Sequence, residues 1–174
     1  IAVLNPGAKV RVMLAGHCDQ IGMMVTHIDN DGFIYIDQIG GIDAAVLPGT
    51  TLEIHTREHG SIPAIIGHKP VHLLTQAERG KKMELSKVWV DIGAKDGDEA
   101  KSKVSVGDPI TFTAGVTELS KTQIASPGCD NRVGVFVVME AMRLVKAALR
   151  KKGKKSFPVA LYSVSTVQEE LGLR

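Results

Sequence analysis

Apolar and polar positions divide the chain into segments of distinct texture. Residues 10–15 (VRVMLA) form a short apolar run closed by Gly16, which predicts a buried strand feeding a turn, and residues 21–28 continue apolar. After the turn signal Asp29-Asn30-Asp31-Gly32, residues 33–36 predict a further strand. Residues 51–55 (TLEIH) alternate with period two, as a half-buried strand does. Residues 61–66, 88–92 and 109–113 are further strand candidates, and short helices are expected at 71–78 and 96–101. Many short strands at this spacing predict a small barrel or sandwich.

The tail reads differently. Val133, Val137, Ala141, Leu144 and Ala148 recur at helical spacing, so residues 131–152 predict a long helix stopped by Gly153. Its first half is apolar nearly all round, which predicts burial against a sheet, and the small Gly134 lets a neighbour come close. Residues 159–167 (VALYSVSTV) read as a strand buried on both faces, the mark of a parallel sheet under helices. The expected fold class is therefore α/β, with a β-rich insert between the first strands and the long helix. A parallel sheet ending here would lack strands on one side, so the chain is expected to be part of a larger protein.

Composition removes several classes. Apolar residues make up 44% and charged residues 23%, which suits an ordinary globular domain rather than a disordered chain. A net charge of +2 offers no basic stripe for nucleic acid, and the basic run at 150–155 reads as the solvated end of the helix. No run is long enough to span a membrane, and no signal-peptide pattern is read at the first residues. Two cysteines form no disulfide framework, so a cytoplasmic location is expected.

Three clusters carry candidate chemistry. In His17-Cys18-Asp19, a neutral imidazole can ligate a zinc-like ion while a carboxylate two residues on holds its tautomer; the triplet also fits a hydrogen-bonded turn. Asp130 opens the long helix, where it can serve as N-cap or as a carboxylate bridging two metals. Glu169-Glu170 follows a strand expected to be buried, where paired carboxylates are costly unless something positive neutralises them. One could bind a metal while the other takes a proton from water; a plain exposed loop is the other reading.

Taken together, Ala15-Gly16-His17-Cys18-Asp19-Gln20-Ile21-Gly22, Asp130-Asn131-Arg132-Val133-Gly134 and Thr166-Val167-Gln168-Glu169-Glu170-Leu171-Gly172-Leu173-Arg174 resemble the dinuclear-metal aminopeptidases. That family includes the glutamyl, deblocking and tetrahedral aminopeptidases, and some members were labelled endoglucanase M. Supporting stretches are Ile39-Gly40-Gly41, Gly67-His68-Lys69-Pro70-Val71-His72-Leu73-Leu74, Val90-Asp91-Ile92-Gly93-Ala94 and Val106-Gly107-Asp108, all in the family's order.

The resemblance implies a three-layer helix/sheet/helix metallopeptidase domain at 1–26 and 118–174, with an inserted dimerisation domain at 27–117. It implies two divalent ions, zinc or cobalt, ligated by His17, Asp130 as bridge, and Glu170. Asp19 would orient His17, and Glu169 would be the general base for a two-metal-activated water attacking N-terminal residues of peptides. Self-association through the insert is implied as well. Cys18, Gln20 and Asn131 stand where the family usually has Met, Glu and an acidic residue, and the last two departures alter the charge around the metals. Two further family ligands, an Asp and a His, have no counterpart in residues 171–174, so no turnover is expected of this chain alone. Hydrolysis of another amide, such as an N-acyl amino acid, and an inactive relative keeping fold and oligomer interface are the alternatives. Cys18 and Cys129 read as buried thiols, with a redox-sensitive pair as the sharper reading. His27, His55, His59, His68 and His72 read as surface or interface groups, and Trp89 as packing.

Overall fold

The computed structural model describes residues 1–153 and 157–172; residues 154–156, which include the end of the basic run, and 173–174, which close the third motif, lie outside it. In chain order the first elements are β1 (Ala2–Leu4), β2 (Arg11–His17), β3 (Gly22–Ile28), β4 (Ile34–Ile39), β5 (Thr51–Thr56), β6 (Gly60–His68) and β7 (Val88–Asp91). They are followed by α1 (Gly97–Lys103), β8 (Pro109–Phe112), β9 (Thr117–Ser120), β10 (Gln123–Ala125), α2 (Cys129–Lys151) and β11 (Ala160–Thr166). The chain divides into two compact units, residues 1–20 with 116–172 among those described, and residues 21–115. The division falls at 20/21 rather than 26/27 because β3 is a barrel strand along its whole length.

In the unit of residues 21–115, six strands close in the order β3-β4-β7-β6-β5-β8, which selects a barrel over a sandwich. Period two explains its interior. Leu52 and Ile54 on β5, Ala64 and Ile66 on β6, and Val88 and Val90 on β7 all turn inward and are buried, together with Met23, Val25, Ile34 and Ile110. Leu47 from a one-turn 3-10 segment and Ala100 and Val104 at α1 add to this core. Asp96 caps α1, its carboxylate accepting from the Glu99 N–H at 2.8 Å.

The expected helix at 71–78 is replaced by a 3-10 turn at Val71–Leu73 and a bent loop. The cause is Glu78, whose carboxylate folds back to accept from the Thr75 backbone N–H at 2.7 Å, the Thr75 hydroxyl at 2.8 Å and Lys69 Nζ at 3.1 Å. Trp89 packs with its ring centroid 5.5 Å from that of Phe33 and edges onto β6 at Gly67, where an added Cβ would sit 2.3 Å from the indole nitrogen. His55 bridges Ser61 and Thr111 at 3.0 and 2.7 Å, and His59 reaches the Ser102 carbonyl at 3.0 Å, so both bond across strands and loops.

In the other unit, β11 lies between β1, its antiparallel neighbour, and β2, its parallel neighbour. β9 and β10 form a separate hairpin. The long helix α2 packs on β2 and β11. It stops where Gly153 takes positive φ and donates its N–H to the Arg150 carbonyl, as the sequence leads one to expect. Burial is thinner than the greasy pattern suggests. Val138 is the buried residue of α2, while Phe136 and Met139 are 66% and 62% exposed among the described residues. Burial on β11 is complete at Ala160, Leu161 and Ser163 but fades toward Thr166, because three strands under one helix enclose only part of each face. None of the described helices is long and apolar enough to cross a membrane.

Two outcomes test this reading of the barrel unit. Gly67→Ala must displace the indole and is expected to cost about 1–3 kcal/mol in denaturant unfolding. The hydrogen bonds from Thr75, then Lys69, hold the Glu78 pKa down from 4.5 to about 2. Its contribution to stability is therefore complete above pH 4.5 and fades as pH falls through about 2, a dependence that Glu78→Gln should lack in paired urea titrations.

Candidate metal centre

Parallel pairing of β2 with β11 sets His17 opposite Thr166, so both chains leave the sheet at the same edge. Ligand-binding groups collect at the carboxyl ends of parallel strands because the turns there converge. After β2 the turn is tied to β11 by the Cys18 N–H and Sγ, both donating to the Thr166 carbonyl at 3.0 and 3.3 Å. After β11 the chain turns at Gln168, in a positive-φ conformation, which brings Glu169 and Glu170 back toward His17.

The third element arrives through a close approach. A Cβ at Gly16 would stand 2.7 Å from the Val135 amide nitrogen and 2.8 Å from the Gly134 carbonyl carbon. The start of α2 therefore lies against β2 nearer than a side chain would permit. Arg132 fastens the contact by donating its Nε–H to the Cys18 carbonyl at 3.2 Å. Gly16 and Arg132 both fall in the quoted motifs, but the sequence assigned neither a role in the site; a small residue directly before the candidate ligand was the available signal.

The N-cap of α2 settles what Asp130 is free to do. Asp130 and Asn131 both have non-helical backbone angles, joined by a cis peptide bond, and the Asn131 side chain accepts from the Gly134 N–H at 2.9 Å. Asn131 is thus the residue that caps the regular helix. The Asp130 side chain is 90% exposed and reaches His17 Nε2 at 3.1 Å instead.

The five candidate residues then have these positions. His17 is 7% exposed. Its Nδ1 lies 3.2 Å from the Asp19 carbonyl and 3.4 Å from the Asp19 carboxylate, while Nε2 faces Asp130 at 3.1 Å and Glu169 at 3.7 Å. Asp19 accepts the Glu170 backbone N–H at 3.0 Å through one oxygen; its other oxygen is buried without a hydrogen-bond partner. One liganding atom each from His17, Glu169 and Glu170 lie within 4.8 Å of one another. Asp130 joins this group through its bond to His17.

Electrostatics follow from the crowding. Burial resists charging His17, but the Asp130 hydrogen bond, then the Glu169 charge and Asp19, outweigh it and raise its pKa. Burial also resists ionising Asp19, and the backbone N–H groups of Glu170, Asp19 and Glu169 overcome it, so its pKa is lowered. Glu170 moves the other way: burial first, and then the neighbouring Glu169 charge, raise its pKa. Several acceptor-only carboxylates facing an imidazole nitrogen need a cation or shared protons between them. The donor set of one imidazole and carboxylate oxygens fits a divalent ion of the zinc type. With Nδ1–H held by Asp19, the Nε2 lone pair would point into the carboxylate group.

Comparison with known proteins bears on this geometry. The family model described as M42 glutamyl aminopeptidase matches residues 1–174. The chain belongs to the M42 glutamyl aminopeptidase family. Among M42 relatives, a lysyl aminopeptidase of Pyrococcus furiosus is 33% identical over 170 residues, covering 97% of this chain and 46% of that protein. A TET aminopeptidase from a marine sediment Thaumarchaeota archaeon superposes with a TM-score of 0.84 at 33% identity, covering 98% of this chain and 47% of that one. A TET1 peptidase of Pyrococcus horikoshii, described as able to assemble into a tetrahedron or a large octahedral shell, gives 0.78 at 30% identity, with coverages of 98% and 48%. The chain thus spans about half the length of the M42 relatives it matches. Both cysteines are free and half-buried rather than fully buried.

The division of labour between Asp130 and Asn131 is measurable. Asn131→Ala should cost about 1 kcal/mol of stability through the lost cap. Asp130→Asn should stay within about 0.5 kcal/mol of the parent in the same unfolding experiment. The reverse ranking would make Asp130 the cap.

Proposed function

We propose that this chain carries part of the active centre of a metallo-aminopeptidase that removes N-terminal residues from peptides. The observation that carries the reading is the two-sided environment of His17. One ring nitrogen is held by Asp19 and the other faces Asp130 and Glu169, at the carboxyl edge of a parallel strand pair in an M42 chain. In this reading His17, Asp130 and Glu170 would hold two divalent ions, zinc or cobalt. Such ions, when bound, polarise the scissile carbonyl and acidify a water.

The chain's own residues account for the rest. Asp19 keeps the His17 proton on Nδ1 through its backbone carbonyl at 3.2 Å, with its carboxylate 3.4 Å away, so that Nε2 stays a ligand. Glu169, 37% exposed at its side chain, would take the proton from the attacking water and pass it to the leaving amine. The barrel unit is assigned self-association, in keeping with the assemblies described for the Pyrococcus horikoshii relative. Free thiols at Cys18 and Cys129 suit a reducing cytoplasm.

In the full-length protein, Glu169→Gln is expected to lose at least about 100-fold in kcat while bound metal, read by elemental analysis, is unchanged. His17→Ala should lose metal and activity together. A chelator should abolish hydrolysis of aminoacyl substrates, and zinc or cobalt should restore it. Near-normal turnover in Glu169→Gln, or faster hydrolysis of N-acyl amino acids than of free-amine peptides, overturns the assignment.

A further inference from the structure

The barrel unit holds a cleft of about 590 Å³ that shares no residue with the imidazole–carboxylate cluster. Such a volume is within the range of small-molecule sites, about 300–1,000 Å³. The whole chain is nearly balanced at +2, yet the cleft is lined by Lys69, Arg79, Lys81, Lys82 and Lys87 against Glu78 and Glu84.

Both acids are engaged within the loop. Glu78 takes two contacts from Lys69, at 3.1 and 3.2 Å, and those from Thr75; Glu84 accepts the Ser86 hydroxyl at 3.4 Å. Among the described residues, Arg79, Lys81, Lys82 and Lys87 have no ion-pair partner. These cations are carried on a shaped loop. The Glu78 and Arg79 N–H groups both donate to the Thr75 carbonyl at 3.1 Å, and the Lys81 N–H donates to the Glu78 carbonyl at 3.4 Å. A merely solvated basic face would be convex and polar throughout. Here Leu74, Met83 and the half-buried Trp89 give the concavity an apolar wall.

We propose that this cleft binds an organic polyphosphate of nucleotide size. A lone carboxylate would offset one cation and leave the others unmet, whereas a di- or triphosphate carries charge enough to meet several at once. The guanidinium of Arg79 can take two phosphate oxygens, and the lysines serve as point charges. The wall of Leu74, Met83 and Trp89 accommodates the organic portion.

Trp89 lines the cleft, so the part of the emission change that a Trp89→Phe variant lacks reports on it. The experiment titrates ADP, pyrophosphate and adenosine into the full-length protein, following Trp89 emission and calorimetric heat, and repeats the series in an Arg79→Glu/Lys82→Glu variant checked for native circular dichroism. Saturable ADP binding, weaker pyrophosphate binding, and a loss of about tenfold or more in the variant are expected, with weakening as salt rises. Four outcomes overturn the proposal. These are no saturation by about 1 mM ADP, adenosine or pyrophosphate binding as well as ADP, undiminished binding in the variant, or a charge reversal that changes oligomeric mass but not binding. The last would make the cleft a contact between copies of the chain.

Discussion

The parallel pairing of β2 with β11 is the constraint on which the candidate centre depends. Seven paired positions, from Arg11 with Ala160 to His17 with Thr166, join segments separated by about 150 residues of chain. Closing so long a loop costs entropy that grows only logarithmically with length, and the ladder and the helix packed on it offset that cost. A slip of one residue would invert every side chain of β11 and carry Glu169 and Glu170 to the wrong side of His17. Register and chemistry are therefore one constraint in this molecule.

A second constraint acts at right angles to the sheet. Because Gly16 lacks a side chain, the backbone of α2 at Gly134 and Val135 comes into contact with β2, and Asp130 is delivered to the imidazole. The helix end needs a cap, and Asn131 supplies it at the cost of no charge. That leaves the Asp130 carboxylate free of the helix end and bonded to His17 among acidic neighbours. Gathering such groups opposes folding, and the raised pKa of Glu170 beside the lowered one of Asp19 shows how unevenly the environment shares that opposition. Backbone N–H groups stabilise one carboxylate; the other is left to burial and like charge.

The barrel obeys simpler rules. Inward residues alternate along β5, β6 and β7, and the close contact between Trp89 and Gly67 shows how tightly β6 and β7 are joined on the outer side. The loop after β6 is ordered by one carboxylate, Glu78, rather than by helical hydrogen bonds, which is why the short helix expected over 71–78 does not form. Side-chain capture of a backbone N–H competes directly with helix formation at Thr75.

Alternation over 51–55, the turn at 29–32, the helical spacing after Asn131 and the stop at Gly153 were all legible because each depends on neighbours within a few residues. The α/β class and the family motifs were legible in the same way. Tertiary structure decided what depends on distant partners: closure into a barrel, the choice of Asn131 over Asp130 as cap, and the exposure of Phe136 and Met139 on a helix that reads as buried. It also decided the approach of α2 across Gly16 and the gathering of loop cations around one cleft. Local periodicity states which face of an element is apolar; only the packed chain determines what, if anything, covers that face.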